Sequence, residues 1–87
     1  MSRQHEVPRV TAIQDWLVAW IAKELGVEAH HISRDEEFIN LGLSSRQAVV
    51  MSGELEDWLG LTLDPSLAWE YPTIAQLSAA LAVQTGP

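Results

Sequence analysis

The sequence predicts an all-α fold, a small four-helix bundle of three main helices and one short helix with a long first loop. Three observations predict it. Apolar residues recur at helical period in three separate stretches. Each of those stretches follows a Ser or Thr with Gln three residues on (Thr11 and Gln14, Ser44 and Gln47, Thr73 and Gln76), a capping-box pattern that marks a helix start. The chain has 87 residues, 47% of them hydrophobic, which suits one small core and leaves no room for a second.

The first helix is expected over about residues 11–25. After Thr11, the residues Ile13, Trp16, Leu17, Trp20, Ile21 and Leu25 form one apolar stripe, and Gly26 closes the helix. The stretch Val27 to Leu43 has no sustained period, and at about 17 residues it exceeds most loops of compact domains. Phe38 and Leu41 are its expected anchors in the core. Ser44 then caps a second helix that ends near residue 59, before Gly60; Ala48, Met51, Ser52, Leu55 and Leu59 share one face of it. Val50 stands in the middle of the opposite, polar face beside Arg46, Gly53 and Asp57. Asp64-Pro65 reads as an N-cap with proline at the first helical position, opening a single turn over Ser66–Glu70. Ile74, Leu77 and Leu81 mark a last helix over about 74–83, followed by a short tail. The whole chain, 1–87, is expected to be one domain with an ordered core over about 10–83.

Twelve acids against five bases give a net charge of −7, unevenly placed. Residues 1–34 balance four acids (Glu6, Asp15, Glu24, Glu28) with four bases (Arg3, Arg9, Lys23, Arg34). Residues 35–87 hold eight acids and one base, Arg46, and so carry the entire excess. That half would repel a phosphate backbone, which argues against nucleic acid as a partner, and would attract basic protein surfaces. The absence of cysteine excludes disulfides and thiolate metal sites. The longest apolar run, Trp16 to Ala22, has seven residues, far short of the about 20 that span a bilayer. No hydrophobic stretch follows the polar start, so a soluble, cytoplasmic protein is expected; a monomer is expected as well.

Candidate chemistry is sparse. His30 and His31 are adjacent, so on regular backbone their side chains diverge, whereas helical metal sites use i, i+3 or i+4 spacing; no metal is expected. Gly42-Leu43-Ser44-Ser45-Arg46 has the serine of a nucleophile elbow but Arg in place of its last glycine, and no strand precedes it. A hydrolase using Ser45 and His31 is therefore disfavoured. The physics of this turn suits another role. Gly42 permits a tight turn out of the loop. With Ser44 as the cap, Ser45 is the first helical residue, its hydroxyl exposed beside unpaired amides, where a phosphate is electrostatically favoured. The four tryptophans (Trp16, Trp20, Trp58, Trp69) read as core or half-buried packing, with Trp16 and Trp20 on the buried stripe.

The stretch Phe38-Ile39-Asn40-Leu41-Gly42-Leu43-Ser44-Ser45-Arg46-Gln47-Ala48-Val49 resembles the modification motif of acyl and peptidyl carrier proteins. The likeness extends over almost the whole chain, through Leu25-Gly26-Val27, the acidic loop before Phe38, Glu54 to Asp57, and Tyr71-Pro72-Thr73-Ile74 at the start of the last helix. Within the family, the wording around Ser45, Trp58-Leu59-Gly60 and Glu70-Tyr71-Pro72-Thr73 looks most like carriers of modular polyketide and hybrid lipopeptide synthases. The family's usual aspartate before the modified serine is Ser44 here, and its usual leucine after it is Arg46.

The resemblance implies a non-catalytic carrier with 4′-phosphopantetheine, taken from coenzyme A, covalently attached to Ser45. It implies as partners a phosphopantetheinyl transferase, an acyl-loading enzyme such as a fatty acyl-AMP ligase, and a ketosynthase or condensation domain. Ser44, Arg46, Val49, Val50, Glu54, Glu56 and Asp57 are the expected recognition surface. The rival expectation is a small acidic helical interaction domain with no covalent cofactor.

Overall fold

A computed structural model of the chain describes residues 6–64 and 66–85. Helix α1 spans Glu6–Leu25, α2 Phe38–Leu41, α3 Ser45–Leu59, α4 Leu67–Glu70 and α5 Ile74–Thr85, and a 3-10 turn covers Ala29–His31. The expected all-α bundle of three main helices with a short one before the last is what the chain forms. The 3-10 turn and the single-turn α2 are additions, both inside the connection expected to be a loop. Each is too short to leave a period in the sequence. Among the described residues no helix is long and apolar enough to cross a membrane.

The core is built from one stripe of each long helix. Ile13, Leu17 and Ile21 of α1, Met51 and Leu55 of α3, and Ile74, Leu77 and Leu81 of α5 are all fully buried. Helices α1 and α5 pack along each other, while Leu63, Leu67 and Ala68 close the core beneath α4. Burying each such side chain is worth about 1.5–3 kcal/mol relative to exposure. Ser78, a buried polar residue of the core, is satisfied by donating from its hydroxyl to Ala75 O (3.1 Å).

Helix α1 starts earlier than expected, at Glu6 instead of residue 11. Pro8 lies in the first turn, where amides have no intrahelical acceptor, so it does not delay the helix. Thr11 and Gln14 are thus interior to α1 and do not cap it. Gln14 is used elsewhere: its side-chain oxygen accepts from Arg34 Nη1 (2.7 Å), while Arg34 Nη2 pairs with Asp15 Oδ1 (2.9 Å). Helix α5 runs two residues beyond its expected end, to Thr85. The tail Gly86-Pro87 and the expected first-turn role of Pro65 lie outside the described residues. Asp64 does open the short turn, accepting from the Ser66 amide (2.9 Å) and hydroxyl (2.8 Å). Those two bonds, the backbone one foremost, hold its carboxyl below its ordinary pKa.

The long connection is fastened, not loose. Phe38 and Ile32 are buried, as is Leu43, and Leu41 packs against the core's edge. The Phe38 amide donates to Pro72 O (2.8 Å), the Ala75 amide to Arg34 O (2.9 Å), and Glu37 and Thr73 form an antiparallel bridge. Together with the Arg34 contacts to α1, these bonds fix the acidic loop against the start of α5. His30 and His31 do not diverge as expected: the 3-10 turn brings their rings edge to face, with centroids 4.3 Å apart. Trp16 and Trp20 lie at the edge of the buried stripe, only partly covered. Trp16 stacks on Trp58 (5.7 Å between centroids), and Trp20 Nε1 donates to Glu54 Oε1 (2.9 Å), so both join α1 to α3.

Candidate functional site

The turn between α2 and α3 is where local sequence, tertiary anchoring and exposed chemistry meet. Phe38 and Leu43, both buried, fix its two ends, and the Leu43 amide returns to Phe38 O (3.2 Å). Between them Gly42 has φ 107°, a backbone region that side chains rarely adopt. The chain then enters α3 through Ser44, in extended conformation with φ −81° and ψ 166°. The Gln47 amide donates to Ser44 Oγ (3.1 Å) and the Ser44 amide to Gln47 Oε1 (2.9 Å), completing the capping box expected from the sequence. Gln47 Nε2 also donates to Glu24 Oε2 (3.1 Å), which ties the start of α3 to the end of α1.

This geometry assigns separate tasks to the two serines. Ser44 is occupied as the cap. Ser45 is the first residue of α3, exposed, and makes no side-chain hydrogen bond among the described residues. The first amide in the helical ladder is that of Ala48, onto Ser44 O (2.9 Å). The amides of Ser45 and Arg46 have no intrahelical acceptor, so this end of the helix favours an anion. Replacing Ser44 with Ala is expected to cost about 0.5–2 kcal/mol, measurable as a lower melting temperature, whereas Ser44→Asp keeps an acceptor and adds a favourable charge.

Ser44 and Ser45 line a mostly apolar pocket of about 230 Å³. Its other lining residues are Phe38, Ile39 and Leu43, Ala48 of α3, and Ala68 and Trp69 of α4. Ile39 is 68% exposed and Trp69 59%, so two of its large apolar lining residues are open to solvent. Neither is expected at the site from the sequence, and the packing role anticipated for Trp69 does not hold. A one-turn helix has no period from which to tell its outward residue. Among the described residues no group of His, Asp and Glu is arranged to hold a metal ion, and no hydrogen bond joins Ser45 to His31.

The expected recognition residues divide. Arg46, Val49 and Val50 are exposed on α3, next to Ser45 and over the following turn. Asp57 is exposed further along, without a partner among the described residues. Glu54 is engaged with Trp20, and Glu56 is partly buried, its carboxylate accepting from the Leu63 amide (2.7 Å). Glu56 also receives the Gly60 and Leu61 amides on its backbone oxygen (2.8 and 3.2 Å), so it holds the corner after α3. Glu56→Ala is expected to destabilise the fold by about 1–3 kcal/mol, because it orphans a buried amide. Glu56→Gln, which retains an acceptor, is expected to melt close to the parent.

Comparison with known proteins identifies the same region. The family model described as "Phosphopantetheine attachment site" matches residues 15–81. A stretch of a phenolphthiocerol/phthiocerol polyketide synthase from Mycobacterium tuberculosis is 41% identical over 70 residues, 80% of this chain. The chain spans only 4% of the length of that relative. Among solved structures, an acyl carrier protein from Anabaena with a variant phosphopantetheinylation-site sequence is 42% identical, with a TM-score of 0.83 and 88% of each chain covered. A free-standing peptidyl carrier protein from Acinetobacter baumannii is 36% identical, with a TM-score of 0.77 over 93% of this chain and 96% of that one.

Proposed function

This chain belongs to the family of phosphopantetheine attachment domains and is an acyl carrier that holds its cargo as a thioester; from that premise we propose that Ser45 is the residue that bears the arm. The observation that carries the proposal is the division of labour at the start of α3. Of two adjacent serines, Ser44 is consumed as a cap, and Ser45 is free, exposed and beside unpaired amides. The residues fit the group: a phosphate on Ser45 Oγ would meet the positive end of a helix, and the apolar pocket opens next to it. 4′-Phosphopantetheine supplies a long flexible arm ending in a thiol, to which an acyl chain is esterified.

Each part of the site then has a stated task. Gly42 and the Ser44 box set the direction in which Ser45 points. Phe38 and Leu43 keep the turn rigid, so that Ser45 is presented to a transferase in one geometry. Carrier families are non-catalytic in general, and we take this chain to be a non-catalytic component of polyketide assembly, a single carrier domain over residues 1–87 acting as a monomer in the cytoplasm. Its partners on this reading are a phosphopantetheinyl transferase, an acyl-loading enzyme such as a fatty acyl-AMP ligase, and a ketosynthase or condensation domain.

The acidic half supports weak, steered association, which suits a carrier that must leave each partner. Because Glu56 is structural, the steering charges on α3 reduce to Glu54 and Asp57. The Glu54→Gln/Asp57→Asn variant retains an acceptor for Trp20 and is expected to melt near the parent but to be loaded more slowly. Raising salt should slow the parent and affect the variant less, since exposed charges are screened over about 8–10 Å at ordinary ionic strength. Equal loading rates for the parent at low and high salt would contradict charge steering.

The functional reading itself is tested by intact-mass measurement after incubation with coenzyme A and a broad-specificity transferase. A gain of one phosphopantetheine supports it. An unchanged mass would favour the small interaction domain without a covalent cofactor.

A further inference from the structure

Arg46 is the single base among residues 35–87, against eight acids. It is the second residue of α3, directly after Ser45, and exposed. A carboxylate three or four residues away on the helix would be within reach of its guanidinium. Here the positions three and four residues distant are Leu43, Gly42, Val49 and Val50, none of them charged. Among the described residues the guanidinium has no hydrogen bond and no ion pair, whereas Arg34 is held by both Gln14 and Asp15. The one cation of the acidic half is thus kept unpaired, and it stands beside the attachment serine.

Its direction is favourable too. Side chains on a helix lean towards its N-terminus, so the stem of Arg46 runs back towards the turn that presents Ser45. The amides of Ser45 and Arg46 at that end have no intrahelical acceptor. A guanidinium beside them completes a set of donors suited to phosphate oxygens, which arginine binds in a planar fork.

We propose that Arg46 is a positioning residue for the arm, pairing with the phosphate of the group carried on Ser45. The inference rests on the reading of Ser45 as the attachment residue. A phosphodiester adds one more negative charge to a surface that already carries all of the chain's excess. Neutralised by Arg46, the root of the arm is held at the start of α3 instead of being driven off it, while the distal thiol end stays free to move. The leucine usual at this position in the family cannot do this.

The test uses the full chain as parent, Arg46→Gln and Arg46→Lys, each converted with coenzyme A and a broad-specificity transferase and checked by intact mass. Phosphorus NMR then reads the phosphodiester, and nitrogen relaxation reads the Arg46 Nε–H of the parent before and after modification. The expected results are a shift and loss of mobility of the Arg46 Nε–H on modification, and a phosphorus resonance displaced in Arg46→Gln, with Arg46→Lys between the two. High salt should move the parent's phosphorus resonance towards that of Arg46→Gln. Identical phosphorus resonances in all three proteins, with an Arg46 signal unmoved by modification, would overturn the inference. Slower modification of Arg46→Gln together with that unmoved signal would also overturn it, and would assign Arg46 to an acidic site on the transferase. A parent that gains no mass at all would remove the Ser45 reading, and this inference with it.

Discussion

Ser45→Ala is expected to gain no mass under conditions that convert the parent completely, and to melt at nearly the parent's temperature. The loss is total because the hydroxyl oxygen is the atom to which the phosphate is joined, and no neighbouring nucleophile is free. Ser44 Oγ is occupied by the Gln47 amide at the neck of the helix. Stability is preserved because the Ser45 side chain is exposed and unbonded among the described residues, and alanine is the best helix former. Ser44→Ala is expected to behave in the opposite way, less stable but still converted. The paired experiment therefore separates attachment from capping at adjacent positions. Retention of modification in Ser45→Ala together with its loss in Ser44→Ala would shift the site by one residue.

Phe38→Ala is expected to have the largest effect on folding. Phe38 is 5% exposed and forms a wall of the pocket beside Ser45, while its amide bonds to Pro72 O at 2.8 Å. Removing such a ring from a packed site costs about 3–5 kcal/mol, a large share of the about 5–15 kcal/mol that holds a typical domain together. For a domain of this size each kcal/mol lowers the melting temperature by about 4–8 °C. A circular-dichroism melt should thus fall by tens of degrees or show no cooperative transition. Conversion by the transferase should drop with it, because Leu43 and the turn lose their support. Phe38→Leu, which refills much of the volume, should recover most of the stability and conversion. An alanine variant that melts with the parent would mean that the acidic loop is held by its backbone bonds alone.

What is legible in the sequence follows the range of the interactions concerned. The start and end of α3 depend on contacts within one turn, Ser44 with Gln47 and the chain reversal at Gly60, and both can be read from neighbouring residues. The start of α1 is misleading for the same reason inverted. Thr11 and Gln14 have the local pattern of a cap, but the helix continues through Pro8, and Gln14 is claimed by Arg34, 20 residues away. Phe38 is visible as an anchor because a large apolar ring directly after the acidic run Asp35-Glu36-Glu37 has few other uses. The one-turn α2 around it is not, since four residues carry no period.

The site shows the same boundary. Ser45 emerges from its neighbours in the chain, with the family resemblance added. The pocket does not, because Ile39, Ala48 and Trp69 meet only once α2, α3 and α4 are packed. In sequence the acids of α3 look like one solvated, partner-facing set. Two of them bond within the fold: Glu54, still exposed, accepts from Trp20, and Glu56, partly buried, accepts from the Leu63 amide and is lost to that set. Net charge is a property of composition, but which charges remain free is a property of tertiary structure. Asp57 and Arg46 remain free in that sense among the described residues, one along α3 and the other beside Ser45.

The most direct test of the central claim is to locate the modification within the chain. Trypsin cleaves after Arg34 and Arg46, so residues 35–46 form one peptide containing both Ser44 and Ser45. Fragmentation of that peptide from the converted protein, with electron-transfer dissociation to keep the phosphodiester intact, distinguishes the two serines by the fragments on either side of the bond between them. Phosphopantetheine on Ser45, with Ser44 unmodified, is the predicted result. Phosphopantetheine on Ser44, or on any residue outside this peptide, would contradict the assignment of cap and carrier.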